Sequence, residues 1–322
     1  MGMPLLIVRD GDGSIGVFQN TCRHRGMKLI EHPTTIMGVI SCPYHGWCYS
    51  TKGELRATPH LGGHGVHTHA SIKNEKLGLF QVRSSVWKDI IFVNISGDAP
   101  EFRAYAGELM DRWEEFEQTM YHGGESSSYS IDLNTNWKLA VENYSESYHL
   151  PCIHPGLNAY SRLADHYNID EGDIFGGQGT KVYRQLEGEG GVTFPDFEML
   201  SEKWNEGAEY VTLFPNVMLG IHRDHFFSII LEPIDADHTR ERVELYYAQD
   251  LKDSPEFQDM LDENAERWRT VFSEDIFVVE GMQKSRHGAF FDGGVFSPVL
   301  DNATHRFHQW VAKSLEKNRF TG

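Results

Sequence analysis

Two short stretches decide how this chain is read: Asn20-Thr21-Cys22-Arg23-His24-Arg25-Gly26 and Ser41-Cys42-Pro43-Tyr44-His45-Gly46-Trp47-Cys48. They set out a C-x-H pair, an interval of 17 residues and a C-x-x-H pair. Each pair falls on a loop between short extended segments, where a turn can aim two side chains at one centre. Two Cys and two His suffice in principle for zinc. Zinc-finger spacing groups Cys with Cys and His with His, whereas here each loop supplies one of each. That mixture suits a [2Fe–2S] cluster with two thiolates on one iron and two imidazoles on the other. Neutral imidazoles in place of thiolates lower the negative charge on the cluster and raise its potential.

The surrounding sequence reads as strands and turns. Residues 4–9 are apolar and extended, Asp10-Gly11-Asp12-Gly13 signals a hairpin, and residues 15–18 return as the next strand. Residues 38–41, 48–50, 77–82 and 90–95 read as further strands, with a turn at Lys52-Gly53. Cys48 reads as a core position, and His60, His64, His67 and His69 as a solvated loop.

Beyond this β-rich part the pattern changes. Residues 102–116 place Tyr105, Leu109, Met110, Trp113 and Phe116 on one face, which predicts a helix. Residues 126–133 alternate like a strand, residues 137–148 read as a helix limited by Pro151, and residues 211–219, 225–233 and 242–248 read as strands. Residues 255–279 read as one long helix with Phe257, Leu261, Trp268, Val271, Phe272 and Phe277 towards the core. Residues 156–200 give no clear pattern.

A second constellation lies at Glu142-Asn143-Tyr144-Ser145-Glu146-Ser147-Tyr148-His149-Leu150-Pro151-Cys152-Ile153-His154. His149 and His154 are a little more than one helical turn apart, so both rings reach one ion if the helix ends near Pro151. Two His plus one carboxylate make the facial triad of non-haem Fe(II) oxygenases, which leaves positions open for dioxygen. Asp275 and Glu274 are both candidates for the carboxylate.

These stretches resemble the catalytic (alpha) subunits of Rieske non-haem iron oxygenases. NTCRHRG and SCPYHGWCYSTKGEL look like the two cluster loops, and N-W-K…E-N…E-x-x-H-x4-H looks like the iron-binding helix. The resemblance implies an α+β fold: a β-rich Rieske domain over residues 1–98, then a helix-flanked antiparallel-sheet catalytic domain over residues 99–322. It implies that Cys22, His24, Cys42 and His45 hold a [2Fe–2S] cluster, and that His149, His154 and Asp275 hold a mononuclear Fe(II). Asp275 is favoured over Glu274 because it stands five residues before Glu280, a spacing the family keeps. Glu146 is implied as the carboxylate linking a neighbouring subunit's cluster histidine to an iron histidine, and Asn143 as a residue beside the iron. A homotrimer and a separate NAD(P)H-dependent flavin/iron–sulfur reductase are implied as well. Family members carry a longer leader before the first Cys, so the Rieske domain is expected to be N-terminally short, with an exposed sheet edge.

Composition bounds the partners. The chain has 322 residues, with 40% hydrophobic and 12% aromatic content, enough for two packed domains. Lys plus Arg number 29 against 47 Asp plus Glu, and the formal charge of −18 disfavours a nucleic-acid partner. Four cysteines in a chain of this length suit metal binding better than a disulfide scaffold. No run approaches the roughly 18 apolar residues of a membrane span, and the start does not read as a secretory signal, so a cytoplasmic location is expected. Neither Gly176-Gly177-Gln178-Gly179 nor Gly62-Gly63-His64-Gly65 fits the dinucleotide fingerprint, which leaves the nicotinamide to the partner reductase.

The expected activity is that of a terminal oxygenase, using O2 and reductase-supplied electrons to hydroxylate or demethylate a small organic substrate. Glu146 and the acidic charge point to a quaternary amine; an aromatic ring is the alternative. A cationic substrate would want an aromatic cage, with Tyr160, Tyr167, Tyr210, Phe214, Phe226 and Phe227 as possible walls. An electron-carrying Rieske protein and a zinc-bound structural protein are competing readings. The first would need only the Cys22–His45 constellation.

Overall fold

A computed structural model describes residues 2–319, and the chain divides after Phe102 into two compact units. The first unit is built from short antiparallel pairs. Strands β1 (Leu5–Arg9) and β2 (Ile15–Gln19) form the hairpin expected around Asp10–Gly13, closed by the Gly13 amide donating to the Asp10 carbonyl at 2.9 Å. Strands β3 (Ile40–Ser41), β4 (Cys48–Tyr49) and β5 (Leu55–Ala57) make a three-stranded sheet, and β6 (Arg83–Trp87) pairs with β7 (Ile90–Asn94). A core of Leu6, Val8, Phe18, Leu29, Ile40, Trp47, Tyr49 and Leu79 encloses Cys22 and Cys42. Residues 77–82 are not a strand: only Gln81 bridges, to Phe18, and the regular pairing starts at Arg83, where the tight Lys88-Asp89 turn closes a hairpin. Cys48 is half-buried, its thiol donating to the Gly46 carbonyl at 3.1 Å.

The second unit is an eight-stranded antiparallel sheet flanked by helices. Its elements in chain order are α1 (Phe102–Arg112), β8 (Tyr121–His122), β9 (Ser128–Leu133), α2 (Trp137–Tyr144), α3 (Leu150–Ile153), α4 (Pro155–Asn158), β10 (His166–Ile169) and β11 (Phe175–Thr180). There follow β12 (Ala208–Leu213), β13 (Val217–Ile221), β14 (His225–Pro233), β15 (Thr239–Tyr247), α5 (Gln258–Glu274), α6 (Ile276–Arg286) and α7 (Asn302–Arg319). The spatial order is β10-β11-β12-β13-β14-β15-β8, with β9 also paired to β15. Helices cover the middle of the sheet, so β11, β12 and β13 are buried at every position and show no alternation.

Three sequence expectations are corrected in this unit. The run 211–219 is two strands, because Pro215 has no N–H to continue a ladder and turns the chain between β12 and β13. The helix expected over 137–148 stops at Tyr144, where the Ser145 hydroxyl turns back to donate to the Val141 carbonyl at 2.6 Å. The helix expected over 255–279 starts at Gln258 and breaks at Asp275, so Phe277 is exposed and outside the core. Residues 302–319 form a helix that the sequence reading did not assign.

Candidate metal centres

The two loops of the first unit have the same backbone design despite different Cys-to-His spacing. The Cys22 amide donates to the Met27 carbonyl at 2.8 Å, and the Gly26 amide donates back to the Cys22 carbonyl at 3.0 Å. The Cys42 amide donates to the Trp47 carbonyl at 2.8 Å, and the Gly46 amide to the Cys42 carbonyl at 3.0 Å. Gly26 and Gly46 both have left-handed φ, 75° and 70°, the conformation that closes each loop and that glycine adopts without strain. The result brings the His24 and His45 rings to 4.6 Å and stacks His24 on Trp47 at 4.9 Å. His24 Nδ1 and His45 Nδ1 are buried without a hydrogen-bond partner, and both thiols are buried and free.

Two buried imidazole nitrogens left without partners are costly in a metal-free fold. With the two buried free thiols they make up the donor set a Rieske cluster takes. The Tyr49 hydroxyl accepts from the Arg23 amide at 3.0 Å and lies 3.3 Å from Cys22 Sγ, within reach to donate to a thiolate there. Burial pushes the Cys22 thiol up, so binding metal there as a thiolate releases a proton, and pushes the His24 imidazole down, so that ring is held neutral, the form that binds metal.

The second centre forms where helices break. His149 lies between α2 and α3, His154 between α3 and α4, and Asp275 between α5 and α6. His149 Nε2 and His154 Nε2 are 3.2 Å apart, and Asp275 Oδ1 lies 3.7 and 3.2 Å from them. Among the described residues this is the one group of three or more His, Cys, Asp or Glu whose ligand atoms converge for a metal ion. The loop histidines His60 and His67 instead spend their Nδ1 atoms accepting from the Gly65 and His60 amides, at 2.9 and 3.1 Å.

Two glutamates orient the histidines of this centre. His149 Nδ1 donates to Glu146 Oε1 at 2.7 Å, and His154 Nδ1 donates to Glu274 Oε2 at 2.7 Å. With the proton on Nδ1, each ring turns its Nε2 lone pair towards Asp275. Glu274, the rival for the third ligand, is therefore engaged on the far side of His154. Glu146 Oε2 accepts from the Tyr148 and His149 amides, which shapes the bend between α2 and α3. Asn143 Nδ2 donates to Asp275 Oδ1 at 3.2 Å. Burial alone would lower the His154 pKa, but the Asp275 and Glu274 carboxylates outweigh it and hold it raised.

A set of contacts between α6 and the segment leading into α2 brings Asp275 to the histidines. Asn134 donates to Glu280, the Thr135 hydroxyl donates to the Val279 carbonyl at 3.0 Å, and the Asn136 amide donates to Gln283 at 3.0 Å. Arg286 forks onto both oxygens of buried Glu142 at 3.0 and 2.6 Å. Glu280, which the sequence offered only as a spacing marker, is thus one of the residues that hold α6 in place.

Beside the three ligand side chains is a cavity walled by Tyr144, Tyr160, Tyr183, Tyr210, Phe227 and Trp268. Of the possible walls read from sequence, Tyr160, Tyr210 and Phe227 line it, whereas Tyr167, Phe214 and Phe226 do not. Tyr183 and Trp268 had no local signal as pocket residues: Tyr183 sits in a stretch without periodicity, and Trp268 looked like a core residue of α5.

The sequence matches the Rieske [2Fe-2S] domain over residues 1–73 and the ring hydroxylating alpha subunit (catalytic domain) over residues 110–317. The chain belongs to the family of ring-hydroxylating oxygenase alpha subunits that carry a Rieske domain. It is a terminal oxygenase, with a Rieske cluster and a mononuclear iron as its cofactors and a reductase as its source of electrons. Putrescine 2-hydroxylase of Ralstonia nicotianae is 25% identical over 97% of this chain and 82% of its own length. The chlorobenzene dioxygenase alpha subunit of a Cupriavidus species is 32% identical over 50% of this chain and 37% of its own. A solved quaternary ammonium Rieske monooxygenase in complex with L-carnitine shares the fold, with a TM-score of 0.74 at 20% identity, over 97% of this chain and 82% of that one. Among the described residues, no helix is long and apolar enough to cross a membrane.

Proposed function

We propose that Cys22, His24, Cys42 and His45 hold the cluster in a domain spanning residues 1–98, and that His149, His154 and Asp275 hold the iron in a domain spanning residues 99–322. The unpartnered Nδ1 atoms of His24 and His45 support the first assignment. The convergence of three ligand atoms supports the second. When bound, the cluster supplies electrons one at a time and the iron supplies the site of oxygen activation.

The protein's part is to orient and exclude. Glu146 and Glu274 fix the tautomers of the two histidines, and Asn143 holds Asp275 by its Oδ1. Glu146 also gives the electron a short hydrogen-bonded route to His149 from a cluster histidine of a neighbouring subunit in a homotrimer. The electrons come from a separate NAD(P)H-dependent flavin/iron–sulfur reductase, and the assembly works in the cytoplasm.

The substrate is a small quaternary amine. The observation that carries this reading is the aromatic wall beside the three ligands, whose ring faces attract an organic cation. Hydroxylation of an N-methyl group consumes O2, two electrons and two protons and yields water and an N-hydroxymethyl group. That group then collapses to a tertiary amine, formaldehyde and a proton.

The test supplies reduced, fully loaded protein with oxygen and either pooled quaternary amines or pooled aromatic hydrocarbons, with products read by mass spectrometry. Formaldehyde and a demethylated amine are expected. Diols or phenols from the aromatic pool, with the amines untouched, would replace this reading with ring hydroxylation.

A further inference from the structure

Behind the aromatic wall lies a buried carboxylate that the chemistry at the iron does not use. Asp224 sits in the turn between β13 and β14 and is fully buried. The Tyr183 hydroxyl donates to both its oxygens, at 3.0 and 3.1 Å, and His225 Nδ1 donates to Oδ1 at 2.8 Å. The indole N–H of Trp268 donates to His225 Nε2 at 2.8 Å. An indole nitrogen is only a donor, so His225 Nε2 accepts and its proton resides on Nδ1, directed at Asp224. Two walls of the cavity, Tyr183 and Trp268, thus hang on one carboxylate, the first directly and the second through His225. A third wall, Tyr210, reaches the same cluster: its hydroxyl is 3.2 Å from His222 Nε2, and the His222 ring stacks on His225 at 4.1 Å.

Burial opposes ionisation of Asp224, but the Tyr183 hydroxyl and His225 Nδ1–H both donate to its oxygens and favour the carboxylate, whose pKa is held lowered. A phenol or indole that donates towards a carboxylate gains electron density on its ring, which strengthens its attraction for a cation. Two positive groups oppose this, Arg267 and Arg184. The Arg267 guanidinium lies 5.8 Å from the ring centroids of both Tyr183 and Trp268, while donating to the Tyr160 hydroxyl at 2.7 Å. Without a compensating anion, Arg267 would turn the same wall against a cation. Arg184 lies 5.4 Å from the ring centroid of Tyr160, and Arg223 is engaged by Asp196.

We propose that Asp224 is a positioning residue for charge specificity: through Tyr183, and through His225 to Trp268, it gives the cavity wall the negative potential that selects a cationic substrate over a neutral one of the same shape. The proposal rests on the amine reading above and deepens it.

The test uses choline and 3,3-dimethylbutan-1-ol, which differ in a quaternary nitrogen against a quaternary carbon. Their affinities are measured by calorimetry on oxidised, cluster- and iron-loaded protein. The wild type is expected to favour choline by about tenfold or more. Asp224→Asn is expected to reduce that preference by about tenfold, with neutral binding changed less than about twofold. A merely structural role for Asp224 would weaken both ligands together and leave the ratio alone; an unchanged ratio overturns the proposal. If Asp224→Asn fails to load cluster and iron, Arg267→Gln reads the same field with opposite sign. It is expected to raise the preference for choline, and an unchanged or lower ratio overturns the proposal. A wild type with no preference for choline would overturn the amine reading itself, which separates the two failures.

Discussion

In the first unit the four donors come from two loops close together in sequence; in the second, two histidines meet an aspartate supplied by a helix junction far along the chain. The difference extends to the ring atoms. His24 and His45 leave Nδ1 unpartnered, whereas His149 and His154 spend Nδ1 on glutamates and turn Nε2 inward. A loop-built site carries its geometry within its own turns. A site assembled between helices depends on what holds the helices together, here Glu142, Arg286 and the Asn134–Asn136 segment.

The sharpest way to break this comparison is to remove one ligand at a time. Cys42→Ser is expected to abolish the visible spectrum of the cluster while leaving iron in the second unit. His149→Ala is expected to do the reverse. Metal analysis together with absorbance reads both outcomes, and loss of both centres in either variant would deny their structural independence.

Removing an orienting group should cost less. Glu274→Gln keeps the shape but weakens the acceptor on His154, and is expected to lower iron affinity by about 10- to 100-fold in competition with a chelator. An unchanged affinity would mean that Glu274 does not orient His154.

The helix clasp predicts a smaller effect. Arg286→Met leaves Glu142 buried without its fork. The expected loss is on the order of 2–3 kcal/mol in denaturant unfolding of the second unit, below the range for a fully enclosed pair because Arg286 is about a third exposed. The cluster spectrum should not change.

The mildest prediction concerns pH. Glu241 on β15 is buried, and burial, with a smaller contribution from the Asp275 charge, pushes its pKa up to about 8. The native state therefore holds this proton more tightly than the unfolded chain does. The stability it contributes is complete below the ordinary glutamate range of about 4.3 and is lost as pH rises to about 8. In metal-free protein, Glu241→Gln is expected to flatten the decline of Tm across that window, and an unchanged slope would contradict the assignment.

The contrast between the units also explains what the sequence made legible. Cys22, His24, Cys42 and His45 could be read together because their turns are local and the spacing is itself the signal. His149 and His154 were legible for the same reason. The break that delivers Asp275 was not, since the apolar pattern runs on through Phe272 and Val279 as if one helix continued; the resemblance, and not periodicity, singled out Asp275. Tyr183 and Asp224 were beyond reach, because neither forms a periodic pattern and their partnership exists only once the β13–β14 turn meets the segment that follows β11. The fully buried β11 was missed for a related reason: burial at every position leaves no alternation for a periodicity argument to use.

The most direct test of coupling between the two centres mixes chemically reduced wild-type protein with oxygen and choline, and follows cluster absorbance and formaldehyde in the same sample. Formaldehyde should appear as the cluster reoxidises, and His149→Ala should slow that reoxidation and abolish the product. A cluster that reoxidises equally fast in His149→Ala, with no formaldehyde from the wild type, would contradict electron delivery to an iron at His149, His154 and Asp275.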